Sequence, residues 1–344
     1  MTTLMKRALM KRPLGLWAPL ALTLLGACSS GPPELTAEQK ARLVDRHTET
    51  AQEYLRMGEL DRAEGQALKA LELDPANTKC KMIRGWTLQK RGRIEDILVA
   101  ERVFREIVDC GDYRAVLGLA ECLERKGLAF HEASDDIASG RRVSEAADPA
   151  ARAKQLLGER DRAWKESSER YDQVLAPHPE DVDALNGAMR MDALLGREEK
   201  SLERGAKLLA TIVPSREFWE KQMLRPQLTV EDERLYRERI DHLRDLEIAT
   251  HLHSSAILHG LSRDADALEH VDAALALDPE RAEYYSRRAE LEKNLGRPEK
   301  AIADIDRFLG RSTQTYDHPD VKRAYRLRKE CEDALKAAET GRQG

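Results

Sequence analysis

The chain has 344 residues, of which 41% are hydrophobic, 35% charged and only 5% aromatic, and its formal net charge is −5. A mixture rich in Ala, Leu, Glu and Arg favours helix, and the scarcity of β-branched and aromatic runs excludes a strand-rich fold. The acidic balance excludes a surface that holds nucleic acid or anionic lipid by charge alone.

Lys6, Arg7, Lys11 and Arg12 precede an apolar run over Pro13–Ala27, and no acidic residue occurs before Cys28. The 15 residues of that run, with Pro19 among them, are fewer than the about 20 that a membrane-spanning helix needs. A basic stretch followed by a short apolar one is the layout of a secretory signal.

The run closes on Leu25-Gly26-Ala27-Cys28, which resembles the lipobox of bacterial lipoproteins. The resemblance implies a signal peptide over 1–27, removed by cleavage, and lipidation of Cys28 by acyl chains such as palmitate. Residues 28–42 then read as a tether, with Ser29-Ser30-Gly31-Pro32-Pro33 as its flexible part. By the same resemblance, Ser29 after the Cys implies the bacterial outer membrane, with the protein lipid-anchored and facing the periplasm. Several chains on one residue make such anchoring stable, whereas one chain is marginal. An ordinary signal peptide with an incidental Cys is the competing reading. Loss of 1–27 removes four cations and no acid, which takes the net charge to −9.

Beyond the tether, "AQEYLRMGELDRAEGQALKALELDP" covers Ala51–Pro75, and "AALALDP" covers Ala273–Pro279. Both end a helical pattern with Leu-Asp-Pro, because Pro cannot continue a helix. Ala51 and Ala63 are small enough for two antiparallel helices to approach, Gly58 permits the turn between them, and Ala70 faces the next unit. This arrangement resembles the tetratricopeptide repeat, and the two Leu-Asp-Pro stretches stand 204 residues apart, six times that repeat's period of about 34.

Further units follow in chain order. The second starts near Thr78, with Gly85 and Gly92 at the landmark places and Ala100 and Phe104 on its second helix. The third starts at Tyr113, with Ala120 and Gly127 aligned and Gly127 expected at the turn. Its second helix is delayed by "HEASDDIASGRRVSEAADP", read as loop from its Ser, Gly and Asp content, and a long charged helix follows from Ala150 to Leu175. The fourth runs from Val182 with Met189 and Gly196, and its pattern lapses after Pro214. Thr229 reads as the N-cap of a long helix that opens the fifth. The sixth carries Ala289, Gly296, Ala301 and Phe308, and a polar capping helix ends the array.

The expected fold is therefore all-α: a right-handed superhelical solenoid of about six such units, with two irregular insertions and a C-terminal capping helix. The solenoid covers 43–340, with repeats at about 44–77, 78–112, 113–181, 182–214, 229–281 and 282–312 and a cap at 319–338.

Motifs for chemistry are sparse. No phosphate loop, nucleophile elbow or zinc-finger spacing occurs, and "HEASD" at His131 places Asp135 where a zinc protease has its second His. His251 and His253 are two apart and point to different helix faces, so His251, His259 and His270 meet only if packing happens to bring them together. No metal and no cofactor is expected. Cys80 opens and Cys110 closes the two helices of the second repeat, so antiparallel packing makes Cys80–Cys110 the candidate disulfide in an oxidising compartment.

The family resemblance implies that first-helix positions 5, 9 and 12 line a partner-binding groove. Those positions hold Thr48, Gln52, Met82, Trp86, Gln89, Glu121, Asn186 and Arg190. Trp86 reads equally as an anchor for a partner or as packing between helices. The Lys and Asn set with which chaperone-binding relatives clamp a terminal carboxylate is not reproduced.

The expected function is a non-enzymatic, membrane-anchored periplasmic scaffold with protein partners in the cell envelope, and with neither nucleic acid nor a small-molecule substrate. The narrower alternative is a tetratricopeptide lipoprotein of type IV pilus biogenesis. An alternative of another class is an enzyme or regulatory subunit with its site in 128–165 or 212–245.

Overall fold

The computed structural model describes residues 35–143, 146 and 148–343, and these form thirteen α-helices and no strand. The lipobox and signal stretch, Cys28 included, lie outside the described residues. Helix α1 spans Ala37–Arg56 and α2 Leu60–Leu73. Thr36 and Gln39 cap α1 reciprocally, side chain to backbone, at 3.2 and 2.9 Å. Helix therefore begins inside the segment expected to be tether.

The second hairpin is α3 (Thr78–Arg91) with α4 (Ile94–Ile107), and the third is α5 (Tyr113–Ala138) with α6 (Pro149–Leu175). The fourth pairs α7 (Val182–Leu194) with α8 (Glu198–Met223), and the fifth α9 (Val230–Gly260) with α10 (Asp264–Leu277). The sixth pairs α11 (Ala282–Asn294) with α12 (Pro298–Arg311), and α13 (Pro319–Gln343) packs on α12.

The local signals act as their chemistry requires. Asp74 and Asp278 end α2 and α10 with the same backbone, φ −140° and ψ 87° or 83°, because a following Pro disfavours the helical conformation. Gly196 and Gly296 turn the fourth and sixth hairpins at φ 69° and 70°. The next N–H in each, Arg197 or Arg297, then reaches back to the carbonyl of Asp192 or Glu292 at 2.8 or 2.9 Å. Ser262 occupies the equivalent place in the fifth hairpin at φ 59°, a conformation that disfavours any residue with a Cβ.

Ala51, Ala63 and Ala70 are fully buried at the helix crossings. Core rings fill spaces left by missing side chains: a Cβ on Gly85 or Gly118 would stand 2.6 or 2.4 Å from the Phe104 ring. Phe104 therefore locks α3, α4 and α5 into one core with Leu88, Ile97 and Leu119.

Three sequence expectations are corrected. Gly127 does not turn the chain; it lies inside α5, where Trp164 of α6 occupies the space of its missing Cβ. His131–Ala138 is helix rather than loop, because nothing breaks α5 before Ser139 and Gly140, the latter at φ 74°. Ser134 ties this extension to α6 through a 3.0 Å bond to the carbonyl of Ala153. Finally, α8 runs through Pro214 to Met223. Pro214 is exposed, so the carbonyl left without its helical donor lies on the solvent side of α8 rather than in the core, and Arg216 then bonds Glu247 of α9 at 2.7 Å. Most described residues of the two segments read as irregular insertions thus belong to prolonged helices.

Candidate functional site: the face formed by the first helices

From α1 to α7 consecutive first helices touch, α1 with α3, α3 with α5 and α5 with α7, and the capping helix α13 touches α11, whereas the closely packed pairs include no two consecutive second helices. A solenoid in which one layer is crowded and the other splayed curves toward the crowded layer. The first helices therefore line the inner face, and that face is where the expected groove residues must be found.

The structure divides them. Gln52 is exposed on α1, and Glu121, Asn186 and Arg190 are partly exposed on α5 and α7. Thr48, Met82 and Gln89 are buried, which corrects their assignment to an open groove. Where α1 meets α3 and α3 meets α5, these positions are covered by the neighbouring helix. Thr48 Oγ1 donates to the carbonyl of Val44 at 2.6 Å and lies 2.8 Å from Cys80 Sγ. Trp86 is half-buried, edge-on to Phe104 at 5.4 Å, between the cores of the second and third hairpins, so packing claims most of its ring.

Where α5 meets α6 and α7 stands Glu124, a residue the sequence did not single out. Its carboxylate, 5% exposed, accepts the Tyr171 hydroxyl at 2.7 Å and both Nε and Nη2 of Arg190 at 2.7 and 3.0 Å. Burial, with the Glu124 charge beside it, pushes the Tyr171 hydroxyl well above its ordinary value. One turn away, Glu121 accepts Gln89 Nε2 at 2.5 Å. Burial and the nearby Asp183 carboxylate push Glu121 up to about 7. Asp183 is itself raised by burial and by Asp181. His253 of α9 is held below the usual histidine range by burial and by Arg190, and lies 3.2 Å from Ser201 Oγ. Glu124 was legible only as the i+3 neighbour of Glu121 on one helix face; no sequence pattern announces its partner Tyr171, 47 residues away.

A second opening, about 320 Å³, lies between α9, α11 and α13 and is floored by Leu291 and Phe308. Arg323 pairs with Glu290 at 2.6 Å on its wall.

The other sequence candidates separate likewise. Cys80 and Cys110 are free thiols and do not bridge. Cys80 is turned into the core against Thr48, whereas Cys110 sits exposed in the turn after α4. His251 and His270 do meet, Nδ1 to Nδ1 at 2.9 Å, while His259 instead bonds Asp264 at 2.5 Å. Among the described residues no three His, Cys, Asp or Glu side chains gather as a metal site would require. No described helix is long and apolar enough to cross a membrane.

Helical hairpins of this length, glycine turns, alanine crossings and Asp-Pro stops make the chain an all-α solenoid of stacked helical hairpins. No family model matches the sequence, and no curated protein matches it. Among solved structures it is similar to one described as the functional characterisation of Pseudomonas aeruginosa pilF, at 13% identity and TM-score 0.47, covering 83% of this chain and 97% of that one. A tetratricopeptide repeat protein from Parabacteroides merdae matches at 13% identity and TM-score 0.39, over 84% of this chain and 99% of its own. The TPR2AB domain of yeast Sti1, in complex with pHSP90, matches at 14% and 0.32, over 85% and 99%.

Proposed function

We propose that this protein is a lipid-anchored scaffold of a bacterial envelope, facing the periplasm from the outer membrane, and that its inner face holds another protein. The observation that carries the reading is the inner face itself. Gln52, Glu121, Asn186 and Arg190 stand partly or fully exposed on three of the first helices, α1, α5 and α7, polar groups placed to recognise an extended surface rather than to enclose a small molecule. The anchor rests on the lipobox-like Leu25–Cys28, and the acidic net charge leaves lipid rather than electrostatics to hold the protein at a membrane.

The two parts of the reading are tested separately. Cys28→Ala releases the protein from membranes into the soluble periplasmic fraction; continued membrane attachment overturns the anchor. A photo-crosslinking residue at Gln52 or Asn186 captures a partner protein in intact envelopes, while one at the exposed Lys69 or Arg102 on second helices does not. Equal capture from both sets overturns the inner-face assignment. Trp86→Ala reports less directly, because the ring also supports Phe104.

A further inference from the structure

The fourth and fifth hairpins meet in a projection that the rest of the solenoid does not cover. Helix α8 has 26 residues and α9 has 31, against 14 in each of α2, α4, α10 and α12. The excess, 12 and 17 residues at 1.5 Å each, carries the turn between them roughly 20 Å beyond the ordinary end of a hairpin. The closely packed partners of α8 are α7 and α9, and those of α9 are α8 and α10. With 13 and 14 residues, α7 and α10 are too short to follow them to the tip.

Leu224 and Val230 flank the turn at 83% and 85% exposure, and Phe218 and Leu235 are exposed just behind them. Val230 and Leu235 both lie on α9 and stand about 140° apart around that helix. One flat protein surface cannot cover both, whereas immersion can. Lys221 and Arg225 are exposed and enter no ion pair among the described residues. The acids at the tip are spent: Glu231 on Arg234 at 2.7 Å, Glu233 on Arg237 at 2.6 Å, and Asp232 on the Thr229 hydroxyl at 2.7 Å. Glu217 and Glu238, also exposed, stand about 10 Å back along their helices.

Short connections make consecutive helices antiparallel, so every first helix starts, and every second helix ends, on one edge of the solenoid. The α8–α9 turn projects from that edge, and α1 starts from it at Ala37. Ala37 stands nine residues after Cys28, a reach of at most about 30 Å, which suffices to span the height of the projection. We propose that the tip is a membrane contact: Leu224 and Val230 enter the apolar layer of a phospholipid bilayer, and Lys221 and Arg225 meet the phosphates of its anionic headgroups. The proposal rests on the lipid-anchor reading for the presence of a bilayer at that edge. Two inserted side chains hold less than one acyl chain, which by itself is marginal. The contact therefore orients an anchored chain and does not replace its anchor, so Cys28→Ala still releases the protein.

A tether independent of Cys28 separates the two readings. Residues 28–344 with Cys28→Ser and an N-terminal histidine tag are bound to vesicles of phosphatidylethanolamine, phosphatidylglycerol and a nickel-chelating lipid. A photo-crosslinking residue at Leu224 forms phospholipid adducts there. One at Leu128, exposed on the part of α5 that is prolonged at the opposite edge, does not. Lys221→Gln/Arg225→Gln/Val230→Asp lowers the Leu224 adduct yield about tenfold, and the circular dichroism of the chain stays unchanged because all three side chains are exposed. Absence of lipid adducts from Leu224, equal yields from Leu224 and Leu128, or an undiminished yield in the triple variant overturns the proposal. Adducts of Leu224 with a second copy of the chain, or with another protein in intact envelopes, reassign the tip to a protein interface and overturn it as well. Vesicle adducts from Leu224 beside a Cys28→Ala chain that stays in membranes uphold the tip and overturn the anchor.

Discussion

Arg190 on α7 closes Nε and Nη2 of its guanidinium on the carboxylate of Glu124 on α5, across 66 residues of chain, at 2.7 and 3.0 Å. The pair joins the third and fourth hairpins at the inner face, and Tyr171 completes it from behind at 2.7 Å. Because Glu124 is buried while Arg190 keeps 39% of its side chain exposed, the two partners are not equivalent. Removing the arginine strands a buried charge. Arg190→Leu is therefore expected to destabilise by about 3 kcal/mol, and Glu124→Leu/Arg190→Leu by clearly less than the sum of the two single changes. Urea denaturation of the three variants measures this; additive losses would show that the fork contributes no coupling.

Glu121 carries a pH dependence of unusual sign. Its value in the folded protein is raised from the model-compound 4.5 to about 7 by burial and by Asp183, so between those values the native state keeps a proton that the unfolded chain has released. Stability from this group falls as pH rises through that window, and the penalty is complete above it. Glu121→Gln is expected to leave stability unchanged near pH 4 and to raise it by about 1–2 kcal/mol near pH 8, after discounting for solvent screening. Thermal melts across that range check the sign. A variant more stable at alkaline pH yet weaker in partner capture also separates folding from recognition.

Two helical glycines make opposite predictions. A Cβ on Gly65 of α2 meets nothing within 4 Å, whereas one on Gly127 of α5 would lie 2.3 Å from the Trp164 ring. Gly65→Ala is expected to stabilise by about 0.5–1 kcal/mol through helix propensity. Gly127→Ala is expected to cost about 1–3 kcal/mol, because Trp164 must leave its place in the core. Paired denaturation curves decide between the two outcomes.

The cysteines divide by accessibility. Cys110 is exposed, while Cys80, Cys122 and Cys331 are buried, and burial raises the thiol of each buried one. Since the thiolate is the nucleophile, a Cys28→Ser chain is expected to react with a thiol reagent at one residue quickly and at three only after unfolding. Counting modified thiols by mass before and after denaturant tests this. Protection of Cys110 in the native protein would contradict its place in the turn.

Helix type, turn positions and stops were legible in the residues because each depends on sterics within a few positions of the chain. Leu-Asp-Pro stops α2 and α10 with one backbone geometry, Gly196 and Gly296 take the left-handed turn, and Thr229 caps α9 by accepting from Asp232 N at 3.1 Å. The same local signs misled where packing overrides them. Gly127 has the spacing of a turn, yet the Trp164 ring needs its empty side and the helix continues. Pro214 should end a helix, yet α8 runs through it and joins α9 beyond it through Arg216 and Glu247.

The site follows the same division. The family resemblance placed Glu121, Asn186 and Arg190 on groove positions of the first helices, but it could not say that Thr48, Met82 and Gln89 are covered by the next helix. Nor could it say that Arg190 is spent on Glu124 while Gln89 Oε1 is buried without a partner. Which face of a helix is buried, and which acceptor lacks a donor, depends on groups many residues away along the chain. Those relationships exist only once the hairpins have stacked.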